Sequence, residues 1–223
     1  MNCVDFSTLL ASCIHDLKNE MGILISKMDE IAHAATDHNK TEMEQLLLQG
    51  KNVNDHLVQL LVLYRINESQ YYPYFAETDI QVFLDETLAH FYPLFAQKHI
   101  TLTVNCPKDL YWHLDSDLMR GAIGNIMHNL YAHARSNVTI AARTDNQALV
   151  IQIKDDGPGY PDEMLQPACH HQKKFSFKSS NTGLGLYFSE IAAQLHCNYD
   201  KKGHIALSNN GINGGGCVTV VLP

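Results

Sequence analysis

What the chain lacks narrows its class before any motif is read. No apolar run approaches the roughly eighteen residues that a membrane helix needs, and no basic start leads into the apolar core of a secretory signal. The expectation is a cytoplasmic protein with no membrane span. Basic residues are the scarcer charge, 16 Lys and Arg against 24 Asp and Glu, and the net charge of -8 leaves no footprint for nucleic acid. CxxC pairs are missing too. Cys3, Cys13, Cys106, Cys169, Cys197 and Cys217 stand singly, so they read as reduced, mostly buried thiols. Cys169-His170-His171 has the composition of a metal site but no second ligand pair to complete it. No internal repeat is visible. What the 223 residues do have is an apolar fraction of 45%, enough for a real core in one or two modest domains.

Apolar residues recur every three or four positions from Phe6 through Leu10, Leu17, Leu24 and Met28 to Ile31, one continuous helical stripe. Thr36-Asp37-His38-Asn39-Lys40 breaks it. Thr41 with Glu44 reads as a capping box that opens a second helix running to about Asn67. One antiparallel pair can bury little of two such wide stripes, so a homodimeric four-helix bundle is expected for residues 1–70. Packing of the stripes on the rest of the chain is the alternative. Ser69 to Tyr74 reads as a linker around Pro73.

Residues 77–223 read as a second domain. A helix is expected from about Ile80 to Gln97, kinked or ended at Pro93, and another from Asp117 to Ala134. Strands are expected near Ile100–Val104, Tyr111–Leu114, Val138–Arg143, Leu149–Ile153, His204–Ser208 and Cys217–Leu222, with a helix from about Gly185 to Leu195. This order implies an α+β chain: a helical hairpin, then a two-layer α/β sandwich.

The chemistry gathers at glycine-broken turns. Asp155 ends an apolar strand, where its carboxylate can accept a hydrogen bond from a nucleobase amino group. Gly157 and Gly159 then let the backbone pass close to a ligand. Gly183, Leu184 and Gly185 open an apolar helix whose first N–H groups can face phosphate oxygens. No GKS or GKT follows, so this is no Walker loop. Asn125 and Asn129 lie four apart on one helical face, and a neutral amide can hold Mg²⁺ without repelling phosphates. Asp115 caps a helix or joins the site, and Arg120 and Arg135 meet either solvent or phosphate.

A second polar cluster, His15-Asp16-Leu17-Lys18-Asn19, sits near the start of the first helix. At one hundred degrees per residue, His15 and Asn19 fall on the solvent edge of the stripe. Asp16 can orient the imidazole or take its proton, which leaves a ring nitrogen free to attack phosphorus.

At these residues the chain resembles the catalytic core of two-component sensor histidine kinases. His15-Asp16-Leu17-Lys18-Asn19 resembles the phosphoacceptor box, Asn125-Ile-Met-His-Asn129 the asparagine box, Asp155-x-Gly157-x-Gly159 and Thr182-Gly183-Leu184-Gly185-Leu186 the two glycine boxes. The resemblance implies a dimerisation hairpin followed by a Bergerat-type ATP-binding domain. It also implies ATP with Mg²⁺ held at Asn129, His15 as the phosphorylated residue, and a response-regulator aspartate as acceptor. His15 lies so near the start that input is expected from a separate sensory protein. Ala132 stands where the family often carries a basic residue, and Asn181 replaces a glycine. Some histidine phosphotransferases share the two-domain plan without the nucleotide boxes. Retention of both glycine boxes and both asparagines favours a kinase.

Overall fold

A computed structural model describes residues 14, 17–19, 21–29, 31, 40–165 and 184–223. The chain divides into two compact units, Met1–Tyr72 and Pro73–Pro223.

In the first unit, residues 17–19 and 21–29 are helical (α1), and α2 runs over Lys40–Asn67. Because α2 already includes Lys40, Thr41 lies inside the helix and is not its N-cap. The two helices meet at Gly50: a Cβ there would stand 3.3 Å from the Ile25 side chain. Ile14 and Leu61 are buried, but Leu17, Leu24 and Ile31 on α1 and Leu46, Val53 and Leu60 on α2 remain 39–54% exposed. Each trio is spaced by seven, which at the helical repeat is one straight apolar seam per helix.

The second unit begins with β1 (Ala76–Asp79), α3 (Ile80–Leu88), α4 (Phe91–Gln97), β2 (Thr101–Asn105) and β3 (Tyr111–Leu114). The interruption expected at Pro93 lies instead between Leu88 and Phe91, where two helices meet. Pro93 has no N–H for the carbonyl four residues back, at Ala89, so the break falls there, and proline itself is accommodated in the first turn of α4. The chain continues through α5 (Ser116–His133), β4 (Asn137–Asp145), β5 (Ala148–Asp155), α6 (Asp162–Leu165) and α7 (Leu184–Leu195). A small exposed pair, β6 (Cys197–Asn198) with β7 (Lys201–Lys202), precedes β8 (His204–Ser208) and β9 (Cys217–Leu222).

The main sheet has the order β2-β4-β5-β9-β8, parallel between β2 and β4 and antiparallel elsewhere. Register aligns Ile140, Ile153, Val218 and Leu207 in one row and Ala142, Ile151, Val220 and Ile205 in the next. All eight are buried on one face, which is why the strands alternate. Helix α4 lies against β2, and α7 lies against β8 and β9. Two glycines permit the closest approaches in this layer. A Cβ on Gly121 would stand 2.9 Å from the Phe188 ring, and one on Gly203 2.2 Å from the Ala193 carbonyl oxygen. This packing carries α5, α7 and the end of β5 to one place.

Candidate nucleotide site

Asp155 is the last residue of β5 and shares the buried face with Ile153, so its carboxylate sits 4% exposed beneath the helices. One oxygen is committed: Oδ1 accepts from the Gly157 N–H at 2.6 Å and from the Gly216 N–H at 3.4 Å. The other, Oδ2, accepts no hydrogen bond among the described residues. It borders a gap kept open by Gly216, where a Cβ would come 2.6 Å from Oδ2 and 3.0 Å from the Tyr160 ring. An acceptor held in place with one face open is suited to an N–H donor on a ligand.

The loop after Asp155 is fixed from three sides. Asp156 turns away and accepts from the Arg135 and Ser136 N–H groups at 2.9 and 3.0 Å and from the Ser136 hydroxyl at 2.6 Å. Burial pushes its carboxyl up, but these hydrogen bonds from Ser136, Asn137 and Arg135 win and hold it far below the usual carboxylate range. Gly157 passes so near the His133 carbonyl that a Cβ would meet it at 2.7 Å. Gly159 has φ 76°, a conformation that favours glycine. The Asn209 side chain then clamps Tyr160 at both backbone groups, accepting from its N–H at 2.7 Å and donating to its carbonyl at 3.0 Å. Burial first, then the charge of Asp155, pushes the Tyr160 phenol up, so it stays protonated. Sequence reasoning passed over Tyr160, Asn209 and Gly216. A tyrosine directly after the second glycine was the only available signal, since the partners arrive from the β8–β9 turn.

On the helix side, Asn125 is buried on α5 and donates from Nδ2 to the Gly185 carbonyl at 3.0 Å. Ser189 donates to that same carbonyl at 2.8 Å. The asparagine and the second glycine run thus meet directly, with Gly185 too close to Asn125 for a Cβ to pass easily, at 3.1 Å. Asn129 is exposed one turn further along α5, and its side chain makes no hydrogen bond among the described residues. Leu184 begins α7. Asn19 is helical and exposed in the first unit. His15, Asp16 and Gly183 lie outside the described residues, as do Thr182, Asn181 and the basic and aromatic residues of 166–181.

Two of the ambiguous residues have partners here. Asp115 is the N-cap of α5, accepting from Asp117 and Leu118 N–H at 3.1 and 3.0 Å. Arg120 pairs with Glu86 at 3.3 Å on the surface.

Residues 114–223 match the family model of histidine kinase-, DNA gyrase B- and HSP90-like ATPases. The adaptive-response sensory kinase SasA of Synechocystis is 26% identical over 202 residues, spanning 84% of this chain and 53% of its own. Sporulation kinase B of Bacillus subtilis is 23% identical over 97% of this chain and 49% of its own. Residues 114–223 carry that ATPase match, and the chain is similar to the catalytic core of two-component sensor histidine kinases. Its fold is that of the Acinetobacter baumannii histidine kinase AdeS, with TM-score 0.60, 20% identity, and 93% and 96% of the two chains covered. It is also that of full-length ShkA in complex with AMPPNP, with TM-score 0.67, 16% identity, and 96% and 45% covered. The core spans about half the length of the curated relatives it matches.

Proposed function

We propose that this protein is an ATP-dependent histidine kinase that phosphorylates His15 and passes the phosphoryl group to an aspartate of a response-regulator receiver domain. One observation carries the nucleotide half of that reading. Asp155 keeps one carboxylate oxygen open at the end of β5, its loop reaches the C-terminal end of α5 at His133, and on the same helix Asn125 is joined to Gly185 of α7. An adenine amino group satisfies the open oxygen, whereas a guanine carbonyl would face it acceptor to acceptor. The phosphates would extend towards the start of α7, whose first N–H groups have no partner within the helix. Asn129 offers an exposed amide oxygen suited to Mg²⁺, which when bound would neutralise charge on the phosphates.

In the transfer, a neutral nitrogen of His15 forms the new P–N bond as the bond from the γ-phosphorus to the bridging oxygen breaks and ADP leaves. Asp16 orients the ring and takes its proton. The phosphoryl group then moves from nitrogen to a receiver carboxylate and frees the imidazole. The dimer has separate support. The exposed seams of α1 and α2 match what a second copy of the hairpin would cover in a four-helix bundle.

The deciding experiment incubates the full chain with γ-labelled ATP and Mg²⁺ beside His15→Ala and Asn129→Ala. Acid-labile, base-stable label in the wild type, lost in both variants, is the expected result. Unlabelled wild type without measurable nucleotide affinity would turn the reading to a phosphotransferase that receives its phosphoryl group from another receiver domain.

A further inference from the structure

The turn between β8 and β9 holds the loop after Asp155 at both of its ends. At the entry, the Asp155 N–H donates to the Gly216 carbonyl at 3.0 Å, and the Gly216 N–H donates back to Asp155 Oδ1 at 3.4 Å. At the exit, the Asn209 amide accepts from the Tyr160 N–H at 2.7 Å and donates to the Tyr160 carbonyl at 3.0 Å. Asn209 and Gly216 are the first and last residues of the turn. The turn is closed within itself by the Gly211 N–H on the Gly215 carbonyl and the Gly215 N–H on the Ile212 carbonyl, both at 2.9 Å. It also lies flat on the strand end, since a Cβ on Gly215 would stand 2.9 Å from the Asp156 Cα. One closed turn thus spans the distance from Asp155 to Tyr160.

The exit clamp calls for a primary amide. One planar side chain meets a donor and an acceptor on the same residue; a carboxylate cannot donate, and a methyl group can do neither. The loop turns directly on this amide: Gly159, at φ 76°, is so close that a Cβ would stand 2.6 Å from Asn209 Oδ1. Among the described residues the Asn209 side chain bonds nothing in its own turn, so closure of the β8–β9 hairpin does not account for it. The clamped residue carries a ring that borders the open carboxylate oxygen. A Cβ on Gly216 would meet Tyr160 Cε2 at 3.0 Å and Asp155 Oδ2 at 2.6 Å. Fixing the Tyr160 backbone therefore fixes the wall beside that oxygen.

We infer that Asn209 is a positioning residue for base recognition: it holds Tyr160 beside the open Asp155 oxygen and so sets how strongly the site prefers an amino purine to a carbonyl purine. The inference rests on the nucleotide half of the kinase reading. The Gly157 N–H that holds Asp155 Oδ1 lies in the clamped loop, so a loosened exit lets the carboxylate rotate away from a single orientation of the base. The groups assigned to the phosphates, at α7 and Asn129, belong to other elements and keep their places.

The test measures the affinity of the full chain for ADP and for IDP, whose base has a carbonyl in place of the amino group, by calorimetric titration with Mg²⁺. The variants are Asn209→Ala, Asn209→Asp, Asp155→Asn, Asn209→Ala combined with Asp155→Asn, and Asn210→Asp, which adds the same charge at the neighbouring exposed side chain. Asn209→Ala should bind ADP about three- to tenfold more weakly and IDP within about twofold of the wild type, so the preference narrows. Asn209→Asp should lose at least as much, because its second oxygen would face the Tyr160 carbonyl. Asn210→Asp should bind as the wild type does. In the Asp155→Asn background, Asn209→Ala should cost less than about twofold, since the contact it positions is already gone. Equal losses for ADP and IDP, an undiminished loss in the Asp155→Asn background, or a lower melting temperature with unchanged ADP affinity would overturn the inference alone. A wild type that binds neither nucleotide would overturn the nucleotide reading and the inference with it.

Discussion

The sheet of the catalytic unit closes completely over Ile140, Ile151, Ile153, Val220 and Leu222, whereas the hairpin leaves Leu17, Leu24, Ile31, Leu46, Val53 and Leu60 in solvent. The two regions have similar sequence character but opposite completeness. A five-stranded sheet with helices packed on one face satisfies its own apolar rows. Two helices expose a seam whatever their rotation, and a seam repeated every seven residues fits another helix pair better than a flat surface. Stability of the first unit is thus expected to depend on concentration, and that of the second on its own packing.

The sharpest way to break this contrast is to charge the seam. Leu24→Glu with Val53→Glu puts four carboxylates into the interface of a dimer. Each lost side chain removes about 1.5–3 kcal/mol of burial, so association should weaken by at least about a thousandfold. Light scattering should report a monomer while the thermal transition of the catalytic unit stays in place. A variant that remained dimeric would show that the seam is covered by something else.

Next in size is Asp155→Asn. This change keeps the acceptor that Gly157 and Gly216 use and converts the open oxygen into a donor facing the base amino group. A cost of about 3 kcal/mol, roughly a hundredfold in ATP affinity, is expected by calorimetric titration, with the fold intact. Undiminished binding would remove the adenine assignment.

Gly203→Ala probes the closed region alone. Its Cβ would stand 2.2 Å from the Ala193 carbonyl oxygen and 2.9 Å from that of Val221, both backbone atoms that cannot swing away. Forcing β8 from α7 should cost about 1–3 kcal/mol, lowering the melting temperature by on the order of 5 °C. Hairpin association should not change.

The same division governs what the sequence could disclose. His204–Ser208 and Cys217–Leu222 have the observed bounds because short runs rich in apolar residues flank a glycine-rich turn. Local signals with two outcomes misled: Pro93 marks a break that falls four residues upstream, and Thr41 has the look of a cap inside a helix. Strand β1 was missed because Ala76–Asp79 is short and polar at three of its four positions, and it exists through pairing with β3. At the site, residues in local runs such as Asp155 and Gly157 could be singled out by position. The Asn209 clamp on Tyr160 and the Asn125–Gly185 bond could not, since each joins residues 49 or 60 positions apart.

A smaller effect sharpens the view of the closed unit through pH. Burial holds His196 below its ordinary value of 6.5, so the unfolded side chain binds a proton first as pH falls. Stability carries no penalty above that value. It declines below pH 6.5 until the folded-state value is reached, because a proton on Nε2 would face the Asp115 N–H donor to donor. Melting curves from about pH 7.5 to about 5.5 should show the decline in the wild type and a shallower one in His196→Gln.

The smallest expected effect belongs to Arg120, which the sequence left between solvent and phosphate. It faces Glu86 across 3.3 Å with side chains 42% and 62% exposed, where water screens the attraction and ordering two long side chains offsets it. Arg120→Ala should therefore move stability by less than about 0.5 kcal/mol and leave ATP affinity untouched, in contrast with Asp155→Asn. The two variants together separate the surface of the unit from its site. If Arg120→Ala weakened ATP binding tenfold while chloride up to about 0.5 M left the wild-type melt unmoved, the arginine would leave Glu86 for phosphate on binding, and the boundary of the site would move outward along α5.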